Sequence, residues 1–343
     1  MTKAKTTPHS DHTHTHTHDH ADGHDHQHPS LPIAPNSSVT VKLPWTIVEP
    51  AYQKALRRYA QNAKTDGFRK GKVPLSLVEG MVDQSALVEY VLQSILPSAY
   101  ADAVKAADKH PISQPEVEPN EVEKGKDWLL TAHFAETPEI KLGKYQEVVK
   151  KAKKASEKDI ADQEADLAKK AAEKKATKKD KDTADTKETA DAKETSTPTT
   201  LTDNQKDDLR TRQIFRHLVE EIKPQIPELL VRREADREIR RLLDQLEQLK
   251  LSVENYLKSR SMTAEQLRLE YLSAAATSLQ LEFILAEIGK MEKITVEDKE
   301  IDEMMKQVFG DKLTKEQEAN NDYRSYIFNT IAKQKIVKHL LSL

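Results

Sequence analysis

The chain has 343 residues, of which 37% are hydrophobic, 32% are charged and 5% are aromatic, and its formal net charge is −3 at pH 7. This balance excludes a large apolar core and a global basic field of the kind that drives wholesale nucleic-acid binding. The chain has no cysteine, which excludes disulfides and thiolate metal sites. Because no apolar run resembles a signal peptide or a membrane span, we expect a cytoplasmic protein without membrane contact.

The first 36 residues are of low complexity and predict a disordered tail. Nine of the thirteen histidines lie between residues 9 and 28, mostly at every second position and mixed with Asp and Thr. Such a segment has nothing to bury. A solubilising tail is the hypothesis we favour, and the alternative is a metal-binding protein. Neutral imidazoles bind Zn²⁺, Ni²⁺ or Cu²⁺, so weak metal binding would use His12, His14, His16, His18, His20, His24, His26 and His28.

Residues 37–150 predict an α+β domain. The run "SVTVKL" alternates as a strand, and "DWLLTAHFAET" alternates in the same way near residue 130. Between them Thr46 and Glu49 have the spacing of a capping box before an apolar helical stripe. A second helical pattern runs from about Leu75 to Lys109, with a break expected near Gly80 or Pro97.

The stretch "GFRKGKVP" between these two helices predicts an exposed loop. Gly67 and Gly71 favour a turn, and Pro74 suits the first turn of a following helix. One aromatic residue among basic residues is a combination typical of binding hot spots. From the residues alone, a docking tip and an ordinary basic turn with Phe68 tucked into the core are about equally supported. The candidate docking residues are Gly67, Phe68, Arg69, Lys70, Gly71, Lys72 and Pro74, and Arg57 and Arg58 could add electrostatic steering.

The middle of the chain is unusually poor in apolar residues. Residues 146–214 contain no Phe, Trp, Tyr or Gly. A thin apolar stripe predicts a helix over 156–176, within a segment 151–176 that we expect to pack on the following domain. Residues 177–202 form a near-repeat of charged and small residues, which predicts a solvated linker.

From 203 to 343 the chain predicts an all-α domain of long, charged helices. Their thin apolar faces are too polar to fill a large globule and favour extended helical arms with a partly exposed apolar lining. The pattern does not show which apolar residues are exposed. It places these on helical faces: Leu242, Leu246, Leu249, Leu279, Phe283, Ile284 and Ile288.

Taken together, these segments resemble the bacterial trigger factor family. The loop Gly67 to Pro74 is similar to the family's ribosome-binding signature, and "IPELLVRREADREIRRLLDQLEQLKLSVENYL" is similar to its helical chaperone domain. The family usually inserts an FKBP-like prolyl isomerase domain of about a hundred residues between these parts. A segment without aromatic residues or glycine cannot build that aromatic-lined pocket or its tight turns. The resemblance therefore implies a variant that lacks the isomerase domain.

The resemblance implies an ATP-independent, ribosome-associated chaperone that binds nascent or unfolded polypeptides at the tunnel exit. The partners it implies are an exit-tunnel protein, nearby rRNA and client chains, and it implies no cofactor. Because no catalytic spacing is present, we expect no enzyme activity, and the alternative is a peptidyl-prolyl isomerase by family membership. A weak homodimer off the ribosome stays an open hypothesis.

Overall fold

The computed structural model describes residues 31–179, 200–310 and 320–343, with the side chains of 171–179 excepted. The histidines of the tail and residues 180–199 of the expected linker lie outside the described residues. The predicted tail and the predicted linker both end a little earlier than expected. Ile33–Ala34 form strand β1, although the sequence analysis placed them in the tail. Thr202, the last residue of the predicted linker, caps the helix that follows.

Three antiparallel strands form the sheet of the first domain. They are β2 (Ser37–Leu43), β3 (Glu116–Glu121) and β4 (Trp128–Phe134), and β4 lies in the centre. Val41 pairs with Leu130, so the core-facing residues of β2 and β4 lie side by side. Both strands were predicted from their alternation. We did not predict β3, because its sequence EVEPNE has one valine and a proline.

Helices cover one face of this sheet. They are α1 (Trp45–Asn62), α2 (Leu75–Met81) and α3 (Gln84–Ala106). The predicted capping box is wrong, because α1 begins directly after Pro44 and no side chain caps it. The predicted break near Gly80 is confirmed, because α2 ends at Met81, whereas Pro97 lies inside α3 without breaking it. Asp83 caps α3, and its carboxylate accepts a hydrogen bond from the amide of Ser85.

A long helix, α4 (Tyr145–Lys179), runs beside α5 (Asp203–Ile222). It begins earlier than the predicted start near Ser156, because Tyr145, Val149 and Ala152 are already buried against the helical body. The ammonium group of Lys153 donates to the carbonyl of Leu341 at 2.6 Å. These contacts attach α4 to the C-terminal helices.

The remaining helices form the second, all-α part. After the short strand β5 (Ile226–Pro227) come α6 (Glu228–Gln248), α7 (Val253–Ser259), α8 (Ala264–Met291), α9 (Asp298–Phe309) and α10 (Asn321–Ser342). This α+β domain followed by helices confirms the predicted fold class. No helix in the described ranges is long and apolar enough to cross a membrane.

The two parts meet at a polar junction around Asn36. β1 pairs in parallel with β5, and the Asn36 side chain accepts a hydrogen bond from the amide of Leu229 at 2.8 Å. Asn36 thereby caps α6 from a distant part of the chain, since α6 has no cap of its own. Glu116 of β3 forms ion pairs with Arg232 and Arg233.

Candidate functional site

The predicted loop lies between α1 and α2 and is exposed along residues 66–72. Phe68 is 44% exposed, so the alternative in which this ring is tucked into the core is wrong. Two hydrogen bonds fold the loop, from the amide of Phe68 to the carbonyl of Thr65 and from that of Lys72 to that of Arg69. We call residues 65–74 the tip loop.

Glycine is required at both turns of the tip loop. Gly67 and Gly71 have φ angles of +83° and +80°, which L-residues with a Cβ rarely adopt. A Cβ at Gly71 would lie 3.6 Å from the carbonyl oxygen of Gln61. The second half of the loop therefore passes close to the end of α1.

The loop is anchored by its base. Val73 is buried with Ala60 of α1 and Val78 of α2, while the residues before it are exposed. Pro74 occupies the N-cap position of α2, one residue before the helix begins. The tip loop is therefore an exposed turn on a packed base.

A polar cluster holds α2 in place below the loop. Glu79 accepts hydrogen bonds from the Tyr52 hydroxyl at 2.9 Å and from the Lys124 ammonium at 2.6 and 2.8 Å. The bond from Lys124 holds the pKa of Glu79 below its usual value. Burial, together with the hydrogen bond to Glu79, raises the pKa of Tyr52 to about 12. The cluster ties α2 to α1 and to the turn before β4.

The cations of the tip loop carry no partner in the described part of the chain. Arg69, Lys70 and Lys72 are exposed and form no ion pair with any residue that the structure describes. Arg58 is different, because its guanidinium donates to the Tyr90 hydroxyl at 2.8 Å and lies 4.8 Å from that ring's centroid. The loop presents uncompensated positive charge beside an exposed aromatic ring.

Exposed apolar side chains are a second feature, which sequence reasoning could not locate. In the helical part they lie on α6, α8, α9 and α10 and around the α6–α7 turn. The exposed large side chains there are Leu243, Leu249, Leu251, Val253, Leu269, Met291, Val308, Tyr323, Tyr326 and Phe328. Leu249 is 68% and Tyr326 is 69% exposed.

Most of the helical apolar residues singled out in the sequence are instead core. Ile284 and Ile288 are fully buried, and Leu246 is 4% exposed. Leu279 and Phe283 are partly buried against a cluster around Ala275. Of that set, Leu249 alone is among the strongly exposed residues.

The four histidines outside the tail do not form a metal site. His133 lies 3.5 Å from Glu118 and His339 lies 3.7 Å from Glu292, each as a single pair. In the ranges that the structure describes, no three potential ligand side chains come together. The eight tail histidines lie outside the described residues, so their metal binding stays a hypothesis.

These observations define a two-part protein, with an α+β domain that presents a basic, aromatic-tipped loop and a helical body with exposed apolar ends. Residues 33–167 match the family model described as bacterial trigger factor protein, and residues 200–342 match the model of its C-terminus. The chain belongs to the trigger factor family, and the resemblance seen in the sequence is confirmed. Only 168–199 separate the two matches, and no isomerase domain lies between them.

Curated relatives match over about a third of the chain. The trigger factor of Mycobacteroides abscessus is 38% identical over 104 residues, which are 30% of this chain and 21% of the relative. That of Lactiplantibacillus plantarum is 39% identical over 101 residues, 29% of this chain and 23% of the relative. That of Macrococcus caseolyticus is 38% identical over 136 residues, 39% and 32% of the two chains. The matched segments span between a fifth and a third of these relatives' own length.

A solved structure of the trigger factor chaperone, from work on promiscuous substrate recognition in its folding and assembly activities, is also similar. The similarity covers 89% of this chain and 96% of that one, with a TM-score of 0.52 and 15% sequence identity. At this identity the likeness supports the fold.

Proposed function

We propose that this protein is an ATP-independent, ribosome-associated chaperone that docks at the tunnel exit through Gly67–Lys72 and Pro74 and holds unfolded polypeptides on its helical part. One observation carries the proposal: Phe68 and three uncompensated cations are exposed together on a packed base. An exposed aromatic ring next to Arg and Lys is well suited to a surface that combines acidic side chains or phosphate with an apolar pocket.

Each residue has a definite role in this proposal. Phe68 inserts as the apolar anchor, and Arg69 and Lys70 pair with carboxylates of an exit-tunnel protein or with rRNA phosphate. Lys72 adds electrostatic steering, which acts on the association rate. Gly67 and Gly71 supply the backbone conformation that no other residue adopts without strain.

Client binding is assigned to the exposed apolar residues of the helical part. Leu249 and Leu251 near the α6–α7 turn, and Tyr326 and Phe328 on α10, offer apolar area without a deep pocket. Each small contact contributes on the order of 1 kcal/mol, so a client that buries its own apolar surface is released without nucleotide.

Co-sedimentation with ribosomes tests the docking half. The triple variant Phe68→Ala, Arg69→Ala, Lys70→Ala removes exposed side chains, so its thermal midpoint should match that of the wild type. The wild type should pellet with ribosomes at moderate salt and the variant should stay in the supernatant. A control matched in charge is Lys150→Ala with Lys154→Ala on α4, where both lysines are exposed. Equal pelleting of the tip-loop variant and the wild type would contradict the proposal.

The alternative functions have separate tests. Without an isomerase domain, the protein should not accelerate proline-limited refolding of a model substrate. Acceleration would support the alternative function of a peptidyl-prolyl isomerase.

For the histidine tail, a variant without residues 1–30 should keep its chaperone activity and lose binding to a Ni²⁺ or Zn²⁺ resin. A weak homodimer would appear as a concentration-dependent sedimentation coefficient.

A further inference from the structure

The first domain has an open groove between α3 and β3, away from the residues of the tip loop. Its volume is about 660 Å³. An apolar stripe of α3 forms one wall, and side chains of β3 and of the turn after it form the other. The apolar residues that line it are Val88, Leu92, Leu96, Val117, Pro119 and Val122.

The groove exists because α3 leaves the β3 side of the sheet partly open. α3 packs against β2, which lies at the opposite edge of the sheet from β3. Val117 pairs with Ala132 and Pro119 pairs with Leu130, and both partners on β4 are fully buried. Residues that lie opposite each other in a sheet share a face, so Val117 and Pro119 face the helix layer. Yet Val117 is half-buried and Pro119 is exposed, so the apolar core opens to solvent at this edge.

The segments that form the two walls are acidic. Residues 84–96 and 116–123 contain five glutamates and neither lysine nor arginine. Three of these glutamates lie beside a basic side chain from another part of the chain or from the next turn. The other two, Glu89 and Glu121, are exposed and form no ion pair within the described ranges. Glu89 lines the groove and Glu121 precedes Val122, so the rim of an apolar groove carries uncompensated negative charge.

Two features decide which kind of partner fits the groove. Pro119 has no amide hydrogen, and the register of β3 shifts between Pro119 and Glu121, so the addition of another strand is disfavoured here. Nucleic acid is disfavoured as well, because its phosphates are bound by Lys and Arg and are repelled by carboxylates. What fits is an apolar centre for the lining, with positive charge at its ends for the rim.

We infer that the α3–β3 groove is a second polypeptide-binding site, which takes an apolar segment flanked by Lys or Arg. This inference rests on the proposed chaperone function and assigns part of client binding to the first domain. The lining supplies the apolar contact, and the rim selects among clients by charge. Segments that are equally apolar but carry acidic residues at their ends are rejected by like-charge repulsion.

The direct test is the fluorescence anisotropy of two short labelled peptides on binding to the full chain. The peptides share a centre rich in Leu and Val, and one has lysines at both ends whereas the other has glutamates. The rim variant is Glu89→Gln with Glu121→Gln, which changes exposed side chains. The matched control is Glu157→Gln with Asp162→Asn, which changes the net charge equally at exposed positions of α4.

The wild type should bind the lysine-flanked peptide more tightly than the glutamate-flanked peptide. The rim variant should bind the lysine-flanked peptide about five-fold more weakly at low salt, and the loss should vanish at high salt because exposed charges are screened. The α4 control should bind both peptides as the wild type does. Equal affinity of the wild type for the two peptides, an unchanged affinity in the rim variant, or an equal loss in the α4 control overturns the inference.

The lining is tested by Val88→Thr with Val117→Thr, which keeps the shape of both side chains and adds hydroxyl groups to the groove. This variant should bind the lysine-flanked peptide several-fold more weakly at every salt concentration, because an apolar contact is not screened. An unchanged affinity in the folded variant overturns the inference. If the variant does not fold, the rim variant still decides, because its side chains are exposed.

A variant of the helical part separates this inference from the proposed function. Leu249→Ser with Leu251→Ser should still bind the lysine-flanked peptide, with the same dependence on the rim. If it loses that binding, the helical part holds the peptide and the inference is overturned. If the wild type neither pellets with ribosomes nor suppresses aggregation but binds the peptide through the groove, the proposed function fails and the groove assignment stands.

A second copy of this chain is the other occupant that the experiments can reveal. In that case the rim and lining variants would abolish a concentration-dependent rise of the sedimentation coefficient and leave peptide binding unchanged. That result would make the groove a contact between two copies and would overturn the inference.

Discussion

The tip loop and the exposed ends of the C-terminal helices are both surface features, but they are built in different ways. The loop concentrates charge and one aromatic ring on a base in which Val73 is buried and Glu79 is clamped by Tyr52 and Lys124. The helical part distributes exposed leucines, two valines, a methionine and three aromatic residues over several elements. The contrast matches the two tasks that we propose, since a fixed partner requires a preorganised contact and varied clients require several weak ones.

The variant with the largest expected effect tests whether the helical part functions independently of the first domain. Trp128→Ala empties a fully buried position in the core of the first domain and removes the bond from its indole nitrogen to Glu123. It should lower the free energy of unfolding by about 4 kcal/mol and abolish ribosome pelleting. Because Ile284 belongs to a different core cluster, suppression of client aggregation should largely survive. Thermal melts and an aggregation assay measure the two outcomes, and equal loss of both activities would contradict the comparison.

A smaller effect is expected at the helical ends. Leu249→Ser with Leu251→Ser removes exposed apolar area near the α6–α7 turn without touching the core. Several-fold more protein should then be required for half-maximal suppression of aggregation, because each lost contact contributes on the order of 1 kcal/mol. The matched control is Glu247→Ser with Lys250→Ser, which removes exposed polar side chains from the same turn. If both variants behave as the wild type does, this turn does not bind clients.

The first domain should also lose stability in acid through Glu136. Hydrogen bonds, first from Ser37 and then from the amide of His110, lower the pKa of Glu136 from 4.5 to about 2. Its contribution is therefore complete above pH 4.5 and is lost as the pH falls from there to about 2. Glu136→Gln should cost about 1 kcal/mol at neutral pH, discounted for solvent screening, and the difference should vanish near pH 2. Urea unfolding of both proteins over this pH range measures the difference in their free energies of unfolding. A difference that does not change with pH would disprove the assignment of this acid sensitivity to Glu136.

The smallest predicted effects have opposite signs at two glycines. Gly67→Ala forces a side chain into φ +83° and should cost about 1 kcal/mol and weaken ribosome binding. Gly80→Ala lies inside α2 with open space around the new methyl group, so it should stabilise the helix by about 0.5 to 1 kcal/mol. If both substitutions lowered the free energy of unfolding equally, the positive φ angle of Gly67 would not be the cause of the loss at that position.

Much of this architecture was predictable, because the strongest patterns are local. β2 and β4 alternate clearly, and the glycines and charges of the tip loop marked it as exposed. β3 was missed because Glu and Pro dominate it, and its position depends on pairing with β4. The start of α4 was missed because Tyr145 and Val149 are buried by helices distant in sequence.

The exposed apolar residues could not be assigned from the sequence for a related reason. Leu246 and Leu249 are one helical turn apart and look alike as amphipathic positions, yet one is buried and the other is exposed. The periodicity of a helix shows which face is apolar, but the neighbouring elements decide what covers it.

The most direct test of the account measures ribosome pelleting and suppression of client aggregation on the same two variants. One is Phe68→Ala, Arg69→Ala, Lys70→Ala, and the other is Leu249→Ser with Leu251→Ser. The account predicts that the first loses pelleting and keeps suppression without nucleotide, and that the second keeps pelleting and requires several-fold more protein for half-maximal suppression. If either folded variant loses both activities together, docking and client holding are not separate surfaces and the account is wrong.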